Sequence, residues 1–173
     1  APVSGTITYT VDGDEYTIPI KEGAVVISVA DLAYGDHTVV VSFDDASYTT
    51  VPESVELNVF VSPRKGTYTD LQYQIDNAVD GVLVLPYDFE YDEEYDLAHN
   101  ADFVNGVVIS DDLTINGNDY SVCGADKARI FYVEEGASLV LNATELCDGA
   151  ASNGAAVYVE AGAFLDMYDV YVH

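Results

Sequence analysis

Positive charge is scarce in this chain. Five Lys and Arg stand against 31 Asp and Glu in 173 residues, a formal net charge of -26. A body of that sign repels phosphodiester backbones and anionic lipid headgroups, which sets nucleic acids and membrane surfaces aside as partners. Long apolar runs are missing as well. Nothing approaches the roughly 18 consecutive apolar residues that a membrane-spanning helix requires. No amino-terminal leader pattern is visible, and the chain opens Ala1-Pro2 without Met, which fits a processed secreted protein or an excised segment. Cysteine is limited to Cys123 and Cys147. Helical periodicity is almost absent, which excludes the ankyrin and tetratricopeptide types of repeat.

What is present argues for a folded body. Apolar residues make up 49% of the chain and 14 Tyr are among them, whereas disordered acidic chains are poor in both. The carboxylates read as a solvated acidic surface, with Ca²⁺ or Na⁺ as their natural complement. Asp12-Gly13-Asp14-Glu15 and the stretch Asp88 to Asp96 are the candidate calcium segments, and neither has the EF-hand ligand order.

One phrase occurs twice. Residues 129–139 (RIFYVEEGASL) return as residues 155–165 (AAVYVEAGAFL), an offset of 26. Short apolar runs recurring at such a period between Gly and Asn turns predict a stacked β-coil.

Residues 1–63 read as an Ig-like β-sandwich. Alternation over Gly5–Val11 and Tyr16–Ile20 flanks Asp12-Gly13-Asp14, a hairpin signal, and Pro19 predicts an edge strand. Further strands are expected over Ala24–Val29, His37–Phe43, Tyr48–Val51 and Ser54–Val61. The phrases Gly5–Gly13 and Leu32–Val39, with Tyr48, resemble bacterial Ig-like surface repeats, which implies a spacer or adhesive module without catalytic residues.

Ser62 to Gly66 marks a boundary, and residues 64–173 form the second domain. Leu71, Ile75, Ala78 and Val79 share a helical face within Thr67–Val79, and Thr69-Asp70-Leu71-Gln72 fits a capping box. This is the single convincing helix in the sequence, expected as a lid on the first coil. Then come Val82–Leu85, an acidic Tyr-rich loop from Pro86 to Ala101, and three rounds of strand, turn and strand. Three strands per coil predict a parallel β-helix.

The order Leu71-Gln72, Ile75-Asp76-Asn77-Ala78, Val82–Leu85, Gly106–Ile109, Leu113–Asn118 and Ala128–Phe131 resembles the adhesin-like surface proteins of methanogenic archaea. The resemblance covers nearly all of residues 67–173, with Gly154-Ala155-Ala156-Val157-Tyr158 where the family usually has Gly-Gly-Ala-Ile-Tyr. It implies an all-β protein with an N-terminal Ig-like sandwich and a right-handed, pectate-lyase-like parallel β-helix behind a short capping helix. It also implies an extracellular location and partners among other cell surfaces, surface glycans and envelope proteins. Family members run on for many coils while this sequence stops at His173, which suggests a fragment or a small variant.

Specific residues carry further expectations. Cys123 and Cys147 are 24 apart, close to one coil, so they fall on neighbouring strands at a spacing that permits a disulfide; two buried thiols are the alternative. Asn142-Ala143-Thr144 is a glycosylation sequon, or else one step of an Asn stack. Tyr87, Tyr91 and Tyr95 in the acidic loop are the candidate contact surface, with packing back on the coil as the alternative. Asp111-Asp112, Asn118-Asp119 and Lys127-Ala128-Arg129 carry the groups that a β-helix polysaccharide lyase or glycoside hydrolase would need, yet no carboxylate pair stands out from the acidic background. Arg129 is expected to pair with neighbouring acids. His37, His99 and His173 have no metal spacing and read as surface residues. The expected function is non-catalytic adhesion or envelope interaction without a cofactor. The alternatives are a self-assembling sheath or S-layer subunit, associating through an open β-helix end, and a carbohydrate-active enzyme.

Overall fold

Alternating residues between Thr6 and Val61 pair as antiparallel strands. The computed structural model describes residues 5–21, 24–29, 32–42 and 54–173, and the chain divides into two units, Ala1–Ser62 and Pro63–His173. In the first, β1 (Thr6–Val11) and β2 (Asp14–Pro19) form a hairpin about Asp12 and Gly13. Both turn residues have positive φ, 51° and 95°, which is why Asp-Gly serves a two-residue loop. With β3 (Gly35–Ser42) and β4 (Ser54–Val61) they make a sheet of order β2-β1-β3-β4. Pro19 lies on its edge strand, where a missing N–H is tolerated. The strand expected over Ala24–Val29 is absent. Ala24 instead exchanges two backbone hydrogen bonds with Lys21, at 3.1 and 3.0 Å, and this isolated bridge closes the chain on itself. The Tyr48–Val51 run lies outside the described residues. Among the described residues this unit is one antiparallel sheet, and the second sheet that a sandwich requires is not among them.

The second unit opens with α1 (Tyr68–Asp76). Its N-cap is Thr67 rather than Thr69: the Thr67 hydroxyl accepts from the Asp70 amide at 3.3 Å, and the Asp70 carboxylate accepts from the Gly66 amide at 2.7 Å. The capping box is displaced because Thr69 is drawn to Asp96. A second helix, α2 (Glu93–His99), and a 3-10 turn (Ala101–Asn105) replace the later part of the expected loop. Asp92 caps α2 by accepting from the Tyr95 amide at 2.9 Å, and Glu93, Glu94 and Asp96 occupy its first turn, where the helix dipole favours negative charge. The acids that make this stretch look like a solvated loop are thus the residues that start a helix.

Ten further strands, with β6 (Phe89–Glu90), build three parallel sheets. They are β5 (Val82–Val84), β7 (Val107–Ile109), β8 (Leu113–Asn116), β9 (Ser121–Cys123), β10 (Phe131–Val133), β11 (Ser138–Asn142), β12 (Glu145–Cys147), β13 (Val157–Val159), β14 (Phe164–Tyr168) and β15 (Tyr171–Val172). The sheet orders are β13-β10-β7, β14-β11-β8-β5 and β15-β12-β9-β6. Each coil after the first contributes one strand to each sheet, which makes a parallel β-helix. Leu139 stacks between Leu113 and Leu165, and the repeated phrase is one coil lying on the next. Inward positions form apolar ladders, and Ile115, Leu139, Leu141, Phe131 and Leu146 are fully buried. Each such side chain contributes about 1.5–3 kcal/mol of burial.

Tight stacking dictates some turn residues. A Cβ at Gly117 would overlap the Thr144 hydroxyl and the Ala143 carbonyl of the following coil. The turn 117–120 is longer than its counterpart 143–144, which changes the register offset from 26 to 24 between the second and third sheets.

The first sheet lacks a strand beside β7, and α1 lies there instead. Gln72 completes the pairing. Its amide oxygen accepts from the Val108 amide at 2.8 Å and its amide nitrogen donates to the Val108 carbonyl at 3.0 Å. The side-chain amide replaces the peptide group of the missing strand, while Tyr68 and Leu71 join the buried core. Val79, expected on the helix's apolar face, lies beyond the helix end and is 75% exposed.

Candidate functional surfaces of the β-helix

The acidic stretch around Tyr87, Tyr91 and Tyr95 turns its tyrosines inward. Tyr91 is a core residue, 4% exposed, with its ring 5.3 Å from that of Tyr68. The half-buried Tyr87 stacks on Phe89, donates to the Asp70 carboxylate at 2.8 Å and accepts from Gln74 at 2.9 Å. Burial, followed by that carboxylate, pushes its hydroxyl up to about 12. Tyr95 accepts from the Arg64 amide at 2.8 Å and lies under the Arg64 guanidinium. These rings hold the cap together, with Tyr91 buried and Tyr87 and Tyr95 partly exposed.

The acids of the same stretch are committed in the same way. Asp96 is fully buried and accepts from the amides of Tyr68, Thr69 and Asp92 and from the Thr69 hydroxyl, at 2.7 to 3.2 Å. One carboxylate from α2 therefore ties the first turn of α1. Asp92 pairs with Arg64 and caps its own helix, and these bonds hold its carboxyl below the ordinary range, the Tyr95 amide most strongly. Asp88 accepts from the Ser121 amide and hydroxyl. In the other candidate calcium segment, Asp12 accepts from the Thr38 amide and bonds His37.

The groups that a carbohydrate-active enzyme would gather are spread over three successive turns. Asp111 and Asp112 line a cleft of about 280 Å³ with Asp76 and Gly81. Asn118 and Asp119 occupy the turn after β8, both with positive φ. Lys127 pairs with Glu93 at 2.6 Å. Arg129 was expected to meet acids but bonds backbone carbonyls of Asn105, Asn153 and Gly154 at 2.8 to 3.1 Å. A planar fork with several donors satisfies the turns of two adjoining coils at once, which a carboxylate partner would not do.

That clamp supports an outward surface on the first sheet. Phe131 and Val133 point inward, so Tyr132 points out, and Tyr158 stacks on it one coil later at 5.3 Å with planes 15° apart. The Arg129 guanidinium lies 4.9 Å from the Tyr158 centroid. The Tyr132 hydroxyl donates to Glu160, whose second oxygen accepts from the Glu135 amide at 2.9 Å. The carboxylate raises the Tyr132 hydroxyl above its ordinary value, and the bond from Tyr132 lowers Glu160. The result is a rigid aromatic ledge flanked by one fixed cation and the fixed Glu160 carboxylate, suited to stacking on a sugar ring or a peptide side chain. Sequence reasoning singled out Arg129 but gave no surface role to Tyr132, Tyr158 or Glu160. The signal was the repeat itself, in which Tyr and Glu recur at outward positions.

On the third sheet Cys123 and Cys147 are register partners, 4.5 Å apart at Cα, and are joined by a disulfide. Asn142 donates to the Asn116 side chain at 3.0 Å, so its amide is committed to an Asn stack between coils. His99 bonds the Tyr95 carbonyl at 2.7 Å, whereas His37 is bridged between Asp12 and the Ala33 carbonyl, and only 11% of its side chain is exposed. The last coil leaves Phe164, Met167 and Tyr171 exposed beside an apolar hollow of about 230 Å³ lined by Leu146, Ala156 and Leu165. No helix among the described residues is long and apolar enough to cross a membrane. Comparison with protein-family models, curated proteins and solved structures gives no match.

Proposed function

We propose that the chain is a non-catalytic, adhesin-like cell-surface protein of the kind carried by methanogenic archaea, in which a β-helix presents contacts to surface glycans or envelope proteins. The observation that carries this reading is the disulfide between consecutive coils, because such bonds persist in oxidising, extracytoplasmic compartments. The dense acidic surface and the ledge of Tyr132, Tyr158 and Arg129 support it, since aromatic area held rigid binds at small entropic cost. Lys127 and Arg129 are engaged away from the Asp111-Asp112 cleft, which favours binding over catalysis. The test is binding of the labelled chain to envelope fractions and to a panel of surface glycans. Saturable binding that falls at least tenfold in Tyr158→Ala is expected. Absence of binding to every fraction, or release of reducing ends from a polysaccharide, would overturn the reading.

A further inference from the structure

The third sheet carries a ladder of metal-ligating side chains on its outer face. Cys123 of β9 is in register with Cys147 of β12. His173 continues the same ladder position one coil later: its amide donates to the Leu146 carbonyl at 3.1 Å and its carbonyl accepts from the Asp148 amide at 3.2 Å. Strand residues two apart share a face, so Glu145 lies beside Cys147 on that side of β12. The His173 ring meets the Glu145 carboxylate at 2.7 Å. The ligand atoms of Glu145, Cys147 and His173 lie within 4.8 Å of one another, and the same holds for Cys123, Cys147 and Asp148. Cys147 belongs to both groups. Cys147 therefore has the Cys123 sulfur on the side of the preceding coil and the His173 imidazole on the side of the following one, with the Glu145 carboxylate beside that ring.

We propose that Cys147, His173 and Glu145 hold a zinc ion in the reduced chain, of which the Cys123–Cys147 disulfide is the oxidised, metal-free form. In tetrahedral zinc, ligand atoms are about 3.3–3.8 Å apart, so these three atoms, within 4.8 Å of one another, need only a small contraction about the ion, and water takes the fourth position. Thiolate and imidazole ligands select zinc over calcium or magnesium, which separates this patch from the all-oxygen acidic turns. The chemistry balances with a dithiol as reductant. Two electrons from the dithiol break the Cys123–Cys147 bond, the dithiol closes to its own disulfide, and its two protons pass to the protein thiols. Zinc then displaces the Cys147 thiol proton to solvent, the neutral His173 imidazole and the Glu145 carboxylate join the thiolate, and Cys123 remains a thiol. The ladder supplies the preorganisation, because Cys147 and Glu145 sit on β12 and the His173 backbone is bonded to Leu146 and Asp148 beside them.

The inference does not depend on adhesion, and its test reads metal rather than binding to surfaces. The full chain is reduced with a dithiol, freed of it under anoxic conditions and titrated with Zn²⁺, and in parallel with Co²⁺ as an absorbing substitute. One zinc per reduced chain is expected and none per oxidised chain, with a thiolate-to-cobalt charge-transfer band and at least a tenfold weaker affinity in His173→Ala. If reduction alone loosens the coils, zinc is expected to restore the β-sheet circular dichroism, since binding then contributes folding energy. No uptake by the reduced chain, no recovery of a loosened chain on adding zinc, or an unchanged affinity in His173→Ala would each overturn the proposal.

Discussion

Strands β4 and β11 have nearly the same pattern and opposite fates. β4 reads Ser-Val-Glu-Leu-Asn-Val-Phe-Val and β11 reads Ser-Leu-Val-Leu-Asn. Yet Val55 and Leu57 of β4 are 47% and 53% exposed, while Leu139 and Leu141 of β11 are fully buried. Alternation defines a face, and enclosure depends on what closes over that face. In the β-helix the chain returns after each coil and the three sheets face a common interior. In the antiparallel unit only Val11 and Val39 are buried hydrophobics among the described residues. The two units also use polar residues differently. The β-helix buries Asp70, Asp96 and Thr144 and bonds them fully, while the antiparallel sheet keeps its ion pair at the hairpin turn.

That contrast has measurable consequences. Leu139→Ala should destabilise the β-helix by about 2–5 kcal/mol, whereas Leu57→Ala should stay within about 0.5 kcal/mol. Urea denaturation of the two variants compares them directly, and equal losses would break the distinction. Asp96→Ala leaves four donors without their acceptor and should cost about 3 kcal/mol, again with no change in the transition of the antiparallel unit. Gln72→Ala unpairs both backbone groups of Val108 and should cost about 2 kcal/mol. Faster amide exchange at Val108 would identify the cause.

The smallest expected effect belongs to the antiparallel unit and depends on pH. The bond to Asp12, with that to the Ala33 carbonyl, raises His37 above its ordinary 6.5. Its contribution is therefore complete below pH 6.5 and is lost as pH rises through the higher folded value. Bonds from His37 and the Thr38 amide lower Asp12 below 3.8, so its contribution is present above that pH and fades as pH falls through the folded value. The hairpin should be most stable between these limits. An NMR titration should place the His37 midpoint above 6.5, and Asp12→Asn should return it towards that value.

Much of the second unit was legible because its signals are local. Stacking at a fixed offset demands that equivalent residues recur, so the repeat, the coil order and the meeting of Cys123 with Cys147 could be read from spacing alone. The capping box was misplaced because Thr69 and Thr67 are equivalent locally, and only Asp96, 27 residues on, distinguishes them. The helix α2 was hidden because acidic residues that favour a helix start also mark solvated loops. The same ambiguity put Tyr91 in a contact surface. Its neighbours are acidic, but its ring faces Tyr68. Ala24–Val29 is rich in β-branched residues without becoming a strand, since β-propensity acts only where a partner strand is within reach.

The repeated phrase returns as two adjoining coils, and the sequence alone determined that they stack in register. It could not determine what each ladder presents outward. Tyr132 and Tyr158 become a ledge because Arg129 is fixed by carbonyls of two other turns, and His173 comes beside Cys147 because β15 pairs in register with β12. Those choices rest on contacts between residues distant in the chain, and tertiary structure decided them because local pattern specifies a face but not its neighbours.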